Sequence, residues 1–394
     1  KVDENFLFTV TDRVDNTSGA AVTLYSYGLV SRSGTPATQG YYILHEGPLG
    51  VMDERLVEVD YKDLKEEPTR TEHSARGGWI GITDKYWLVA VIPDQTVPYE
   101  AAFRYTNAPL EKFQTDFRRD ATMVPAGGSA EVQHMLFAGA KEVARIEDYR
   151  EKLGIVRFDL AIDWGWFFFL TKPIFVFLHT LHQWLGNFGL AIILFTVALR
   201  ILFFPMANKS FRSMAGMRKI QPEVMRLREV YANDREKQTR ETMELYRREK
   251  VNPLSGCLPI VLQIPVFFAL YKVLFVTIEM RHAPFYGWIK DLSAPDPTTV
   301  FNLFGLIPWD PPSFLHLGIW PILMGISMFI QQKLNPAPPD PVQQRIFMFL
   351  PIIFTFVLAG FPAGLVIYWT VNNVLSMTQQ WVITRRVEAQ KTAT

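Results

Sequence analysis

The chain lacks most of what redox, metal or nucleotide chemistry would need. It has one cysteine, Cys257, among 394 residues, so no disulfide can close within the chain and no paired-cysteine metal motif is possible. Lys plus Arg number 40 against 39 Asp plus Glu, which removes the basic excess of a nucleic-acid binder, and direct DNA binding is not expected. No phosphate-cradling P-loop occurs. The five apolar runs after residue 187 contain no Asp or Glu, so no carboxylate is placed to couple a proton or cation. Lys1 follows no initiator Met and no apolar leader, and an N-terminal segment with an anchoring span is expected to be missing.

What is present is apolar and aromatic: 49% hydrophobic residues, with 30 Phe and 10 Trp. Residues 1–153 carry short β-branched and aromatic runs such as 6–11, 21–27, 87–92 and 101–106, divided by turn clusters at Asp15-Asn16, Ser33-Gly34 and Ala126–Gly128. That pattern predicts an antiparallel β-sandwich, with a helix over 141–153 leading away from it. His45, His73 and His134 lie far apart in this region without ligand spacing, so no catalytic residue and no metal site is assigned.

Residues 154–186 are expected to form a linker and an amphipathic helix in the headgroup layer. The aromatic density fits an interface, and Pro173 leaves only a dozen apolar residues, too few to span. His179 and His182 could share a face there, a weak metal signal.

Five spans are expected in 187–386: 188–207, 254–278, 315–330, 346–361 and 363–382. Between the first two lies a helical hairpin, 209–250, with twelve Lys and Arg against seven acids, turning at Asn233-Asp234. Met214 and Met217 sit on its apolar face, and Arg218, Lys219, Arg226 and Arg228 on its basic one. It is either a solvated basic loop or a binding surface. Lys272 is expected to snorkel out of the second span. The basic hairpin, the Lys333 turn and the tail 387–394 fall on one side of five alternating spans. The positive-inside rule makes that side cytoplasmic and the β-domain extracytoplasmic.

Arg200 lies deep in the first span, where a charge costs about 2.5–3.5 kcal/mol on insertion scales. It either snorkels or pairs structurally, or it marks a water-accessible site. Thr196 is one turn away, and Gln263, Gln332 and the stripe Trp369, Asn372, Asn373, Ser376, Gln379 and Gln380 offer polar company. These polar residues could equally be helix–helix glue. One cation with amides and hydroxyls has no covalent chemistry to perform. It lowers the cost of bringing a polar or acidic segment into the membrane, which points to a conduit for another polypeptide. A solute transporter would need a coupling carboxylate; a pure assembly chaperone would not need Arg200 for translocation.

The motifs Leu199–Pro205, Ser213–Pro222, Tyr246–Pro259, Gln263–Tyr271, Arg281–Ser293 and Phe361–Trp369 resemble the YidC family of bacterial membrane-protein insertases. The resemblance covers Trp164 to the C-terminus, and the β-rich part matches the family's periplasmic domain in kind and position. It implies an inner-membrane protein with a periplasmic β-sandwich, an α-helical five-span core and a cytoplasmic hairpin and C-terminus. It also implies a hydrophilic groove around Arg200, with Thr196, Gln263, Gln332, Tyr368, Trp369 and Asn373. Ile264, Pro265, Phe267, Ile352 and Val357 would form an apolar slide for the incoming helix. Implied partners are nascent membrane proteins, the Sec translocon, the ribosome, signal recognition particle components and the bilayer. No cofactor and no enzymatic reaction are implied. Trp369 stands where the family pattern has a second tyrosine, and Lys272 replaces an apolar or aromatic residue.

Overall fold

The computed structural model describes residues 1–38, 44–107, 109–249, 251–252, 258–309, 311–312, 315–335 and 341–392, with 73, 258–260, 341 and 387–392 described as backbone only. Cys257, Lys250 and the start of the Pro253–Pro259 motif lie outside these residues or their described side chains. The chain forms two compact units, Lys1–Trp166 with Val276–Glu279, and Phe167–Phe275 with Met280–Thr394.

The first unit is the expected antiparallel sandwich. Six strands form one sheet: β1 (Leu7–Asp15), β12 (Ser129–Ala140), β8 (Trp87–Ile92), β7 (Gly78–Thr83), β4 (Gly47–Met52) and β5 (Arg55–Glu58), in that spatial order. Four form the other: β3 (Tyr27–Ser33), β10 (Lys112–Arg119), β9 (Tyr99–Thr106) and β6 (Thr69–Ala75). A small ribbon pairs β2 (Val22–Leu24) with β11 (Thr122–Val124), and α1 (Tyr61–Glu66) crosses one end. Alternation along β10 sends Phe113, Thr115 and Phe117 inward, as a half-solvated antiparallel sheet requires.

In β4 and β7 every residue is buried, because the large sheet is covered on both faces. On its outer side α2 (Val143–Leu153) and a 3₁₀ turn, Phe158–Ala161, supply the cover. Phe158 stands edge-on to Trp79 at 5.6 Å and to Phe137 at 5.5 Å. The β unit therefore extends to Trp166, past the expected boundary at 153. Helix α2 ends at Gly154, whose φ of 64° is the left-handed cap that favours glycine.

His45 hydrogen-bonds the Pro48 carbonyl at 3.0 Å, and His134 packs edge-on against Phe117 at 5.7 Å. Both are structural, and His73 lies outside the described side chains.

The second unit is helical: α3 (Phe168–Leu185), α4 (Phe188–Leu202), α5 (Phe204–Val230), α6 (Arg235–Arg248), α7 (Leu258–Val276), α8 (Ile319–Leu334), α9 (Pro341–Ala359) and α10 (Ala363–Thr392). Pro173 does not break α3, which runs 18 residues to Gly186. His182 in its last turn lies flat on Phe188, ring centroids 3.7 Å apart.

The expected first span is broken. Phe203 leaves helical geometry, and α4 and α5 meet at 68°. Pro205 has no N–H for the Ile201 carbonyl, and its ring crowds that carbonyl, which accounts for the kink. The first helix of the hairpin accordingly begins at Phe204 rather than at 209. Asp234 caps α6 by accepting the Lys237 N–H at 2.9 Å, which fixes the expected turn.

The five expected crossings coincide with helices α4, α7, α8, α9 and α10. Among the described residues one helix, at Val342–Ala359, is long and apolar enough to cross a membrane by length and composition, or two if the bent α4–α5 pair is one span. Helix α8 has 16 residues, which at 1.5 Å each is about 24 Å, below the ~30 Å of a hydrocarbon core.

Candidate functional site: an arginine held by an amide

Arg200 is in the last turn of α4, just before the kink. Its Nε donates to Asn372 Oδ1 at 3.0 Å, and its Nη2 donates to the same oxygen at 2.7 Å and to the Asn372 carbonyl at 3.1 Å. Asn372 is 7% exposed. The partner is neutral, and among the described residues no carboxylate pairs with Arg200. Three donor bonds satisfy part of the guanidinium and leave its charge uncompensated.

The other expected groove residues divide over two faces of α10. Residues one apart on a helix point about 100° apart. Tyr368 and Asn372 share one face: Asn372 holds α4, and the Tyr368 hydroxyl accepts a hydrogen bond from Gln263 Nε2 of α7. Trp369 and Asn373 occupy the next face. Trp369 packs edge-on to Phe267 at 4.8 Å and against Phe354 at 5.7 Å, in a cluster with Met324, Leu358 and Val366. Asn373 Nδ2 donates to Ser327 Oγ of α8 at 3.0 Å, and Gln380 Nε2 donates to the Leu334 carbonyl at 3.0 Å. Trp369 and Asn373 therefore join helices instead of lining the arginine's surroundings.

Thr196 is buried, and its hydroxyl is spent on the Ile192 carbonyl of its own helix at 2.7 Å. Gln332 is half-buried at the end of α8 and is not brought to Arg200 by any described contact. The group that meets is thus Arg200, Asn372, Gln263 and Tyr368. Asn372 belongs to the polar stripe of the sequence, but periodicity alone could not say that it, rather than Asn373, faces α4.

Around Arg200 two cavities open. A small one is bounded by Phe203, Met206, Leu262, Gln263 and Asn372; a larger one, of about 450 Å³, lies between α4, α5 and α10.

The expected slide residues also divide. Ile264, Ile352 and Val357 are 48%, 55% and 54% exposed, Pro265 is half-buried inside α7, and Phe267 is turned into the Trp369 cluster. Only 11% of the Val342–Ala359 stretch is buried: Phe354 and Leu358 pack into the Trp369 cluster, and the opposite half of α9 presents a broad apolar face. Water would not tolerate that surface; lipid or another apolar helix would.

The structure departs from the sequence expectations at the hairpin methionines and at Lys272. Met214 is 7% exposed and packs with Ala207, Phe211 and Ile383, with Met217 against them, so this part of the hairpin's apolar face is covered by α10. Arg218, Lys219 and Arg226 remain exposed and Arg228 half-exposed. Lys272 is 8% exposed and does not snorkel out of α7.

Two comparisons agree on kinship. The family described as 60Kd inner membrane protein matches residues 180–391, and the family described as YidC periplasmic domain matches residues 1–177. The chain belongs to the YidC family of inner membrane proteins. The protein of Methylobacterium radiotolerans named membrane protein insertase YidC is 56% identical over 98% of this chain and 64% of its own length. That of Beijerinckia indica subsp. indica, with the same name, is 55% identical over 98% of this chain and 65% of its own length. The chain thus spans just under two thirds of the relatives it matches. A solved structure of an active YidC insertase with its first transmembrane domain resolved is 17% identical, covers 84% of this chain and 82% of its own, and superposes with a TM-score of 0.45.

Proposed function

We propose that this chain is the insertase part of an inner-membrane protein that places small or weakly hydrophobic proteins into the bilayer, alone or beside the Sec translocon. What carries the reading is Arg200: a cation in an apolar helix, tied to an amide with no described counter-charge, beside an open cavity. The relatives' name, membrane protein insertase, supports it.

In this mechanism no covalent bond changes. The basic hairpin receives the nascent segment, with Arg218, Lys219 and Arg226 among its exposed cations; the ribosome and signal recognition particle are its partners there. The polar leading end of the substrate then enters beside Arg200, where Coulomb attraction at reduced dielectric offsets part of its desolvation. Gln263 and Tyr368 fix the neighbouring wall. The apolar part of the substrate leaves along α9, past Ile352 and Val357, driven by transfer into lipid. The hairpin and C-terminus are cytoplasmic and the β-domain periplasmic.

The test uses the chain in proteoliposomes with a small substrate bearing an acidic N-terminal tail. Protease protection of that tail is expected in wild type and in Arg200→Lys, and is lost in Arg200→Ala. Equal protection in all three removes Arg200 from the mechanism. The bonds from Arg200 to Asn372 favour one second reading: an arginine that joins α4 to α10 in an assembly chaperone without translocation activity. In that case Arg200→Ala lowers stability and leaves protection of the tail unchanged.

A further inference from the structure

The larger cavity beside Arg200 carries two further arginines to which the insertion mechanism assigns no role. Arginines from three helices line it: Arg200 of α4, Arg212 of α5 and Arg386 of α10. No Asp or Glu is among its lining residues, and among the described residues neither Arg212 nor Arg386 has an ion-pair partner. A fourth donor is Gln379, whose Nε2 is buried without a hydrogen-bond partner among the described residues. Arg200 spends part of its donors on Asn372, but those of Arg212, Arg386 and Gln379 in the same half lack acceptors among the described residues. Its other half is apolar, and Ile201 and Phe204 there are 70% and 48% exposed.

Position narrows the ligand. The cleft lies at the 68° elbow where apolar α4 gives way to charged α5, a change in composition that belongs at the boundary of hydrocarbon and headgroups. Arg386, near the basic end of α10, lies on the same side. A phosphodiester brings non-bridging oxygens to satisfy guanidinium and amide donors at once, and an acyl chain covers exposed apolar surface. An acidic peptide engages the arginines through its carboxylates alone and leaves its backbone N–H groups without acceptors, so it passes rather than stays; a free phosphate leaves the apolar wall bare.

We propose that the cleft between α4, α5 and α10 binds the phosphate headgroup of an anionic phospholipid of the cytoplasmic leaflet, with its acyl chains along Ile201 and Phe204. The lipid lends the hairpin elbow a fixed depth. This rests on the membrane orientation proposed above, but not on insertion activity.

The test places the full chain in phosphatidylcholine nanodiscs with a minority of phosphatidylglycerol and counts retained lipid by native mass spectrometry. Wild type is expected to retain phosphatidylglycerol preferentially. Arg212→Gln with Arg386→Gln lowers that preference about thirtyfold, the equivalent of ~2 kcal/mol for two arginines near an anionic surface; the double Lys variant keeps most of it. Phenylglyoxal labelling of wild type gives a second readout that needs no variant: Arg212 and Arg386 are protected by phosphatidylglycerol and not by phosphatidylcholine. Equal retention of the two lipids, an unchanged preference in the Gln variant, or equal labelling overturns the proposal. So does displacement of the lipid by inorganic phosphate or by a soluble acidic peptide, which would assign the cleft to that anion. Loss of tail protection in the insertion assay with lipid preference intact would count against the insertase reading alone.

Discussion

Arg200 and Asn372 are locked by three hydrogen bonds, two of them to the single oxygen Oδ1 at 2.7 and 3.0 Å. The lock joins the end of α4 to the first third of α10, and it does so with a neutral group. An aspartate in that place would make the same contacts and cancel the charge. Asn372→Asp is therefore expected to keep or raise the melting temperature while protection of acidic tails falls about tenfold, ~1.4 kcal/mol; substrates with neutral tails are little affected. Unchanged insertion of acidic tails in a folded Asn372→Asp protein would show that the charge is not used.

Tyr368 is 1% exposed and gives Gln263 its acceptor. Tyr368→Phe keeps the ring and removes the oxygen, leaving a half-buried amide unsatisfied at a cost of ~1–3 kcal/mol. Thermal unfolding in detergent should fall accordingly. Tyr368→Phe with Gln263→Leu should recover most of the loss, because both polar partners are then gone.

The exposed apolar face of α9 separates stability from function. Ile352 and Val357 are more than half exposed, so Ile352→Asn and Val357→Asn should change detergent stability by only ~0.5 kcal/mol. Insertion of weakly hydrophobic substrates should drop several-fold, read as protease-protected product. Stability loss with normal insertion would instead mark α9 as part of the packed core.

The β unit carries its own acid sensitivity. A hydrogen bond from Lys65, then one from Thr35, holds the Glu111 carboxyl at about 2 instead of 4.5, with Lys65 Nζ at 2.7 Å. A depressed carboxylate stabilises the fold fully above its unfolded value and loses that contribution as pH falls from about 4.5 toward 2. Glu111→Gln should lower the melting temperature of the β unit at neutral pH and flatten its decline over that acid range, followed by circular dichroism.

The β-sandwich, the hairpin and the register of helices were legible from period and punctuation: alternating Phe113, Thr115 and Phe117, the Asn233-Asp234 turn, and the apolar runs. The arginine's importance was legible from its cost. What could not be read is which neighbour answers it. Asn372 and Asn373 differ by one step and 100°, and only packing decides which points at α4 and which at Ser327. The Phe203 kink hid because Pro205 near the start of a helix and Pro205 inside a span read alike, and the run 188–207 stays apolar throughout. Pro173 misled in the opposite direction: α3 absorbs it without a break. Met214 and Met217 looked like a free surface because Ile383, which covers them, lies one residue past the expected end of the last span at 382, in the part of α10 that continues beyond it.

A guanidinium answered by an amide has nothing to trade. Asparagine neither takes up nor releases a proton in the physiological range, and arginine stays charged, so the pair behaves as a fixed electrode and cannot act as a valve. Such a site cannot draw on a proton gradient at this position or ratchet its passenger in steps. Under the proposed function, direction would come from the passenger itself, from the greasiness of its helix and the charge of its leading end, and the pair would be a lubricant for a downhill journey.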